Sequence, residues 1–207
     1  IHKLKWSQPW SAASHFSHLL FFLKSQSSEG GSQFIDRMIY QAINEVNRFY
    51  RLPNGSWGLG DDVTMQQQVN GAMKMMTALD ASNTHYFDGA ESLIDLCLLA
   101  VNDTHACDHF NVICVLYHCN RITKYREDEV CTYALKRLNL YQQYYWKNEG
   151  GFSFFKDHSQ VNFYGARVSM GDSEPDLHGT VMMLWGISLI SGVLGWDSEL
   201  QLRPPIT

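Results

Sequence analysis

Asn54-Gly55-Ser56-Trp57-Gly58 and the later stretch Val69-Asn70-Gly71-Ala72-Met73-Lys74-Met75-Met76 decide the fold, because the pair recurs. The second occurrence reads Glu149-Gly150-Gly151-Phe152-Ser153-Phe154, then Leu177-His178-Gly179-Thr180-Val181-Met182-Met183-Leu184. In each copy a polar helix ends in an aromatic or an arginine, a Gly-aromatic turn follows, and a second helix opens with polar residues and a glycine. The copies run from Asn44 to Leu79 and from Tyr141 to Leu189. One helical hairpin cannot bury its apolar face alone, so repeated hairpins stack on each other.

Apolar spacing extends this unit along the chain and predicts about seven helices with almost no strand. The first covers Ser11 to Lys24, with Phe16, Leu19, Leu20 and Leu23 on one face, and the Ser/Gly-rich Ser25 to Ser32 reads as a loop. The second covers Gln33 to Tyr50, with Ile35, Ile39, Ile43, Val46 and Phe49 inward. The third covers Val63 to Asp80, capped by Asp61 or Asp62, and the fourth Phe87 to Val101, capped by Asp88. Cys107 to Arg121, Arg126 to Trp146 and a last helix from Ser173-Glu174-Pro175 to Leu194 complete the set. Gly150 to Gly171 is long for a plain loop and reads as a hairpin, flap or insertion.

The second, fourth and sixth helices carry charge on one face, whereas the others are more apolar and open with uncharged polar groups and histidines. That alternation predicts an all-α fold: helical hairpins forming an α/α toroid, or an incomplete ring of about seven helices. A solenoid stack of hairpins would look similar. Residues 1–207 then form a single toroid-like domain, read as a fragment of a longer chain because Ile1 begins in mid-pattern.

Bulk composition narrows the function classes. The 207 residues are 45% hydrophobic and 13% aromatic, which is globular composition. Net charge is −5 with no basic run, so neither nucleic acid nor an anionic membrane surface is an expected partner. Met182 to Leu194, the most apolar stretch, is interrupted by Gly186, Ser188, Ser191 and Gly192 and is too short to span a membrane. Cys97, Cys107, Cys114, Cys119 and Cys131 are odd in number and lie in helical runs, which predicts free thiols in a reducing, cytoplasmic compartment.

Aligning the four apolar helices on their stripes brings His18, Asn70, Asn111 and His178 into one column. Two residues earlier stand Phe16, Gln68, His109 and Asp176, and three earlier His15, Gln67, Asp108 and Pro175. If these helices run parallel, the column gathers at one end of a shared cavity, where helix N-termini favour anions. His178 or His109 would then serve as general base and Asp176 or Asp108 would orient it. His15, His18, Trp57, Gln68, Asn70, Asn111 and Trp185 would line the substrate. The same residue types also make helix caps and hydrogen-bonded core groups. His105 and His109, four apart, would share one helix face as zinc ligands do, but no C-x-x-C or H-E-x-x-H accompanies them. No metal site is predicted, and the residues leave the cofactor open.

Three residue sets resemble the terpenoid cyclase and protein prenyltransferase superfamily. Asn54-Gly55-Ser56-Trp57-Gly58 resembles the end of the QW motif of squalene and oxidosqualene cyclases, and Gly150-Gly151-Phe152-Ser153-Phe154 is similar without the Trp. Asp176-Leu177-His178-Gly179-Thr180 resembles the D-F-Y-H-T segment of prenyltransferase β-subunits, with Gly179 where their zinc-binding His stands. The acidic D-x-D-D and D-D-x-x-D motifs are absent. The resemblance implies a toroid and, with Phe16, Trp57, Phe110, Trp185 and Phe152-Phe154-Phe155, an apolar cavity for an isoprenoid or lipid-like small molecule. A partner chain or domain would complete the ring. Two other functions fit the residues: a carbohydrate-active toroid (lyase, epimerase or hydrolase) using Asp176, His178 and Tyr164, and a non-catalytic helical domain that binds or supports a partner.

Overall fold

The computed structural model describes residues 1–27, 33–84, 86–202 and 204. Among them eight α-helices dominate and strands are limited to four of two residues each, so the chain is all-α in character. It divides into two compact units: Ile1–Ala100 with Arg121–Thr123, and Val101–Asn120 with Lys124 onward. No helix among the described residues is long and apolar enough to cross a membrane.

The first unit holds α1 (Pro9–Ser27), α2 (Gln33–Tyr50), α3 (Met65–Ala81) and α4 (Ala90–Leu99). α1 packs along α3. Its buried stripe is Ala12, Ala13, Phe16 and Leu20; Leu19, expected inward, is exposed, because the stripe advances by three and four from Ala13. α1 also continues through Ser25 to Ser27, where a loop was expected, and residues 28–32 of that loop lie outside the described residues. On α2 the stripe is Ile39, Ile43, Val46 and Tyr50, so Phe49, expected inside, falls beside it at 49% exposure. The α3 cap is Thr64, whose hydroxyl accepts from the Gln67 N–H, rather than Asp61 or Asp62. α4 starts later than expected, after Gly89 in a left-handed conformation (φ 74°), and Asp88 does not cap it.

The second unit holds α5 (Ala106–Asn120), α6 (Glu127–Tyr141), α7 (Leu177–Val193) and the short α8 (Asp197–Leu200). α5 packs against α7, and most of α5 is buried, from Ala106 and Phe110 to Cys119. α6 ends earlier than the apolar pattern suggested. Its last expected turn is a 3₁₀ turn at Gln142–Tyr144, and β1 (Tyr145–Trp146) then pairs antiparallel with β2 (Gly151–Phe152). The Gly150 to Gly171 segment also carries a second hairpin of β3 (Asn162–Phe163) and β4 (Ala166–Arg167).

The repeated Gly-aromatic turns differ by one residue in length but close in the same way. In the first unit Arg51 bridges Trp57, the Gly58 N–H donates to the Tyr50 carbonyl at 2.8 Å, and Gly55 turns the chain at φ 77°. In the second, Tyr145 pairs with Phe152, the Ser153 N–H donates to the Tyr144 carbonyl at 3.0 Å, and Gly150 has φ 75°. Both glycines occupy the left-handed region that L side chains avoid. The tyrosine before each turn, Tyr50 or Tyr144, is buried. The sequence repeat is thus a structural repeat of helix, miniature hairpin and helix.

Candidate functional site

The N-terminus of α7 is built by Asp176-Leu177-His178-Gly179-Thr180. Asp176 is the N-cap: one carboxylate oxygen accepts from the Gly179 N–H at 2.8 Å. The other accepts from the Phe154 N–H at 2.7 Å and the Gln160 N–H at 3.1 Å. One side chain therefore starts the helix and pins two points of the preceding loop. Pro175, expected in the first turn, instead precedes the cap. Gly179 is required by close approach, since a Cβ there would sit 2.3 Å from the Ser153 carbonyl carbon and 2.4 Å from the Phe154 nitrogen. Thr180 closes the clamp, its hydroxyl accepting from the Phe152 N–H at 2.9 Å and lying 3.1 Å from the Phe152 carbonyl.

His178 is the member of this motif whose side chain reaches α5. Its Nδ1 lies 2.5 Å from the Gln160 Oε1 and its Nε2 lies 3.4 Å from the Cys107 Sγ. An amide oxygen can only accept, so Nδ1 carries the proton and Nε2 turns its lone pair toward the thiol. Cys107 stands in the first turn of α5 and is half-buried. That helix end carries a partial positive charge. The α5 start is itself fixed on the loop: the Ala106 N–H donates to the Phe154 carbonyl at 2.8 Å, and the Asp108 N–H donates to His105 Nδ1 at 3.3 Å. Phe154 is stacked between two imidazoles, with His105 at 4.8 Å and His178 at 4.7 Å between ring centroids. Phe163 meets the His178 ring edge-on at 4.8 Å.

A second polar group lies deeper on α5. His109 has no exposed surface; its Nδ1 lies 2.7 Å from the Arg137 Nη1 and its Nε2 2.9 Å from the Tyr144 hydroxyl. A guanidinium only donates, so Nδ1 accepts and the proton sits on Nε2. Burial, then the Arg137 charge, then His105 lower the His109 pKa to about 3. Arg137 also donates to the Tyr133 hydroxyl at 2.8 Å and the Asn102 carbonyl at 3.4 Å. Asp108 is fully buried, with His105 Nε2 at 3.7 Å.

The remaining expected site residues are placed as follows. In the first unit His18 is exposed, His15 is exposed with its Nδ1 2.8 Å from the Ser11 carbonyl, and Asn70 is fully buried. Gln68 accepts from Asn54 Nδ2 at 2.6 Å and donates to the Val63 carbonyl at 2.9 Å. Trp57 is fully buried, donates to Asn47 Oδ1 at 2.9 Å and carries the Arg51 guanidinium 3.8 Å above its ring. In the second unit Asn111 is buried, and Trp185 is half-buried against Phe110 at 4.6 Å. The structure brings His178 to Cys107 and Gln160; Asp176 meets backbone N–H groups, and His109 and Asp108 lie in the core.

Cys107 and Gln160 are the functional candidates that sequence reasoning passed over. The signal available was a cysteine at a helix start with a histidine elsewhere in the chain. Among the described residues no group of three His, Cys, Asp or Glu side chains could hold a metal ion, and the five cysteines form no disulfide. Comparison with protein-family models, curated proteins and solved structures gives no match for this chain.

Proposed function

We propose that the second unit performs thiol-based acyl chemistry, with Cys107 as nucleophile, His178 as general base and then general acid, and Gln160 as the group that orients His178. The observation that carries the reading is the unbroken relay from Gln160 Oε1 through both nitrogens of His178 to the Cys107 sulfur, at 2.5 and 3.4 Å. A nucleophile within reach of a base that is itself held by a third group is the arrangement activated thiols require. The general-base role expected of His178 from the column of polar residues is kept; Gln160 takes the orienting role expected of Asp176. The repeated hairpin supports reading the fold as part of an α/α toroid that presents this pair to a small-molecule substrate.

His178 Nε2 takes the thiol proton as sulfur attacks the carbonyl carbon of an ester, thioester or amide. The tetrahedral adduct collapses, the bond to the leaving group breaks, and that group departs with the proton from His178. Water, deprotonated by the same Nε2, then attacks the acyl-sulfur bond and releases the acid, which restores the thiol. In aminolysis an amine takes the place of water.

p-Nitrophenyl acetate tests the proposal. The expected result is a burst of p-nitrophenolate approaching one equivalent, with an acetyl group on Cys107 by mass spectrometry. The burst should vanish in Cys107→Ser and slow by roughly a hundredfold or more in His178→Ala, the usual scale of acid–base assistance. A burst of the same size in Cys107→Ser would overturn it.

A further inference from the structure

A helix that is apolar on every side is ordinarily buried on every side. α7 has no charged residue over its 17 positions, yet one side of it faces solvent. Gly179, Met183, Gly186 and Ile190 form its buried face. On the opposite side Leu177, Val181 and Leu184 are exposed by 81%, 46% and 55%. At 100° per residue, these three lie on one strip whose edge is His178, and Val181 stands one turn along from the imidazole. At 1.5 Å per residue, the strip runs on the order of 10 Å from the base. Phe163, 43% exposed and edge-on to His178, supplies an apolar wall at the starting end.

We infer that this strip seats the apolar chain of the acyl substrate, with its carbonyl at Cys107 and its hydrocarbon tail along Leu177, Val181 and Leu184. The inference rests on the thiol reading above and names its substrate class: medium-chain or longer acyl groups. Two features favour a chain over a protein partner. The strip is one helix wide, far below the roughly 800 Å² per partner of a stable protein interface. It is also continuous with the reacting pair, as a tail attached to the reacting carbonyl requires.

N-alkylmaleimides separate this inference from the one it rests on. Rates of addition at Cys107 are measured by peptide mapping for N-methyl through N-hexyl reagents, each divided by its rate with glutathione. Half-burial of each methylene on an open strip gives about a twofold gain per carbon, and so about thirtyfold across the series. Val181→Gln/Leu184→Gln should flatten that slope, whereas Leu99→Gln, an exposed position of the first unit, should retain it. A Cys107 that reacts at one relative rate for every chain length overturns the acyl seat and leaves the thiol site standing. A Cys107 that fails to react with even N-methylmaleimide overturns the thiol site. A flat series accompanied by a dimer in sedimentation, which the double variant dissolves, assigns the strip to a second copy of the chain and overturns the inference.

Discussion

Replacing His109 with Gln should flatten the acid-side stability of the second unit. The folded pKa of this imidazole is about 3, while an unfolded histidine titrates near 6.5. Between those values the unfolded chain binds a proton that the folded chain refuses, so stability falls as pH falls. The contribution is complete above pH 6.5 and is lost progressively on the way down to pH 3. From pH 7 to pH 5.5 the unfolded histidine goes from mostly neutral to about ten parts protonated in eleven, which removes about 1 kcal/mol. The glutamine can accept from Arg137 and donate to Tyr144, yet it has no proton to gain. In urea titrations at the two pH values, the wild-type midpoint should therefore fall more than that of His109→Gln, by about 1 kcal/mol once converted with a common slope. The other histidines contribute equally to both proteins and cancel. Parallel pH dependences would mean instead that the buried imidazole takes up its proton in the folded state.

Two further substitutions probe the scaffold. Tyr141→Phe should leave stability unchanged or raise it by about 1 kcal/mol, since its buried hydroxyl has no hydrogen-bond partner among the described residues and burial pushes its pKa up; a loss of that size in urea titration would contradict this. Gly179→Ala should cost roughly 2–3 kcal/mol, because its Cβ would meet the backbone of Ser153 and Phe154 rather than a side chain that can turn away. The same substitution should lower the Cys107 alkylation rate, since the loop it displaces carries Gln160. An unchanged melting temperature would show that the loop gives way easily.

The long helices were legible because their stripes repeat over about four turns or more, and Gln33–Tyr50 was read to the residue. The end of α6 was not. Its Tyr-rich run continues an apolar pattern, and only pairing with β2, which Gly150 allows, pulls Tyr145 and Trp146 into a strand. Caps misled for a related reason. Asp61, Asp62 and Asp88 are good capping types in the right neighbourhood, and the choice of Thr64 and Gly89 depends on where the chain packs. The repeat was legible as a motif, and in both miniature hairpins the N–H that follows the aromatic donates to the carbonyl of a buried tyrosine. The thiol site was legible by half. His178 stood out beside its cap, but its nucleophile is 71 positions away and its orienting amide sits in a loop with no periodic signal. Deeper on α5, His109 resembles His178 as a residue type. Burial separates them, holding His109 neutral between Arg137 and Tyr144.

Cys131 is a built-in reference for Cys107. It is half-buried like Cys107, but burial together with Glu127 and Asp128 pushes its thiol pKa up, and its Sγ lies 3.8 Å from the Val193 carbonyl. The rates of carbamidomethylation of both cysteines by iodoacetamide, followed by peptide mapping from pH 5 to pH 9, compare an activated thiol with an inert one in a single sample. Cys107 should react at least about tenfold faster than Cys131 at pH 7, and His178→Ala should remove the advantage. Equal rates at the two cysteines, or a Cys107 rate indifferent to His178→Ala, would contradict the activation of Cys107 by His178.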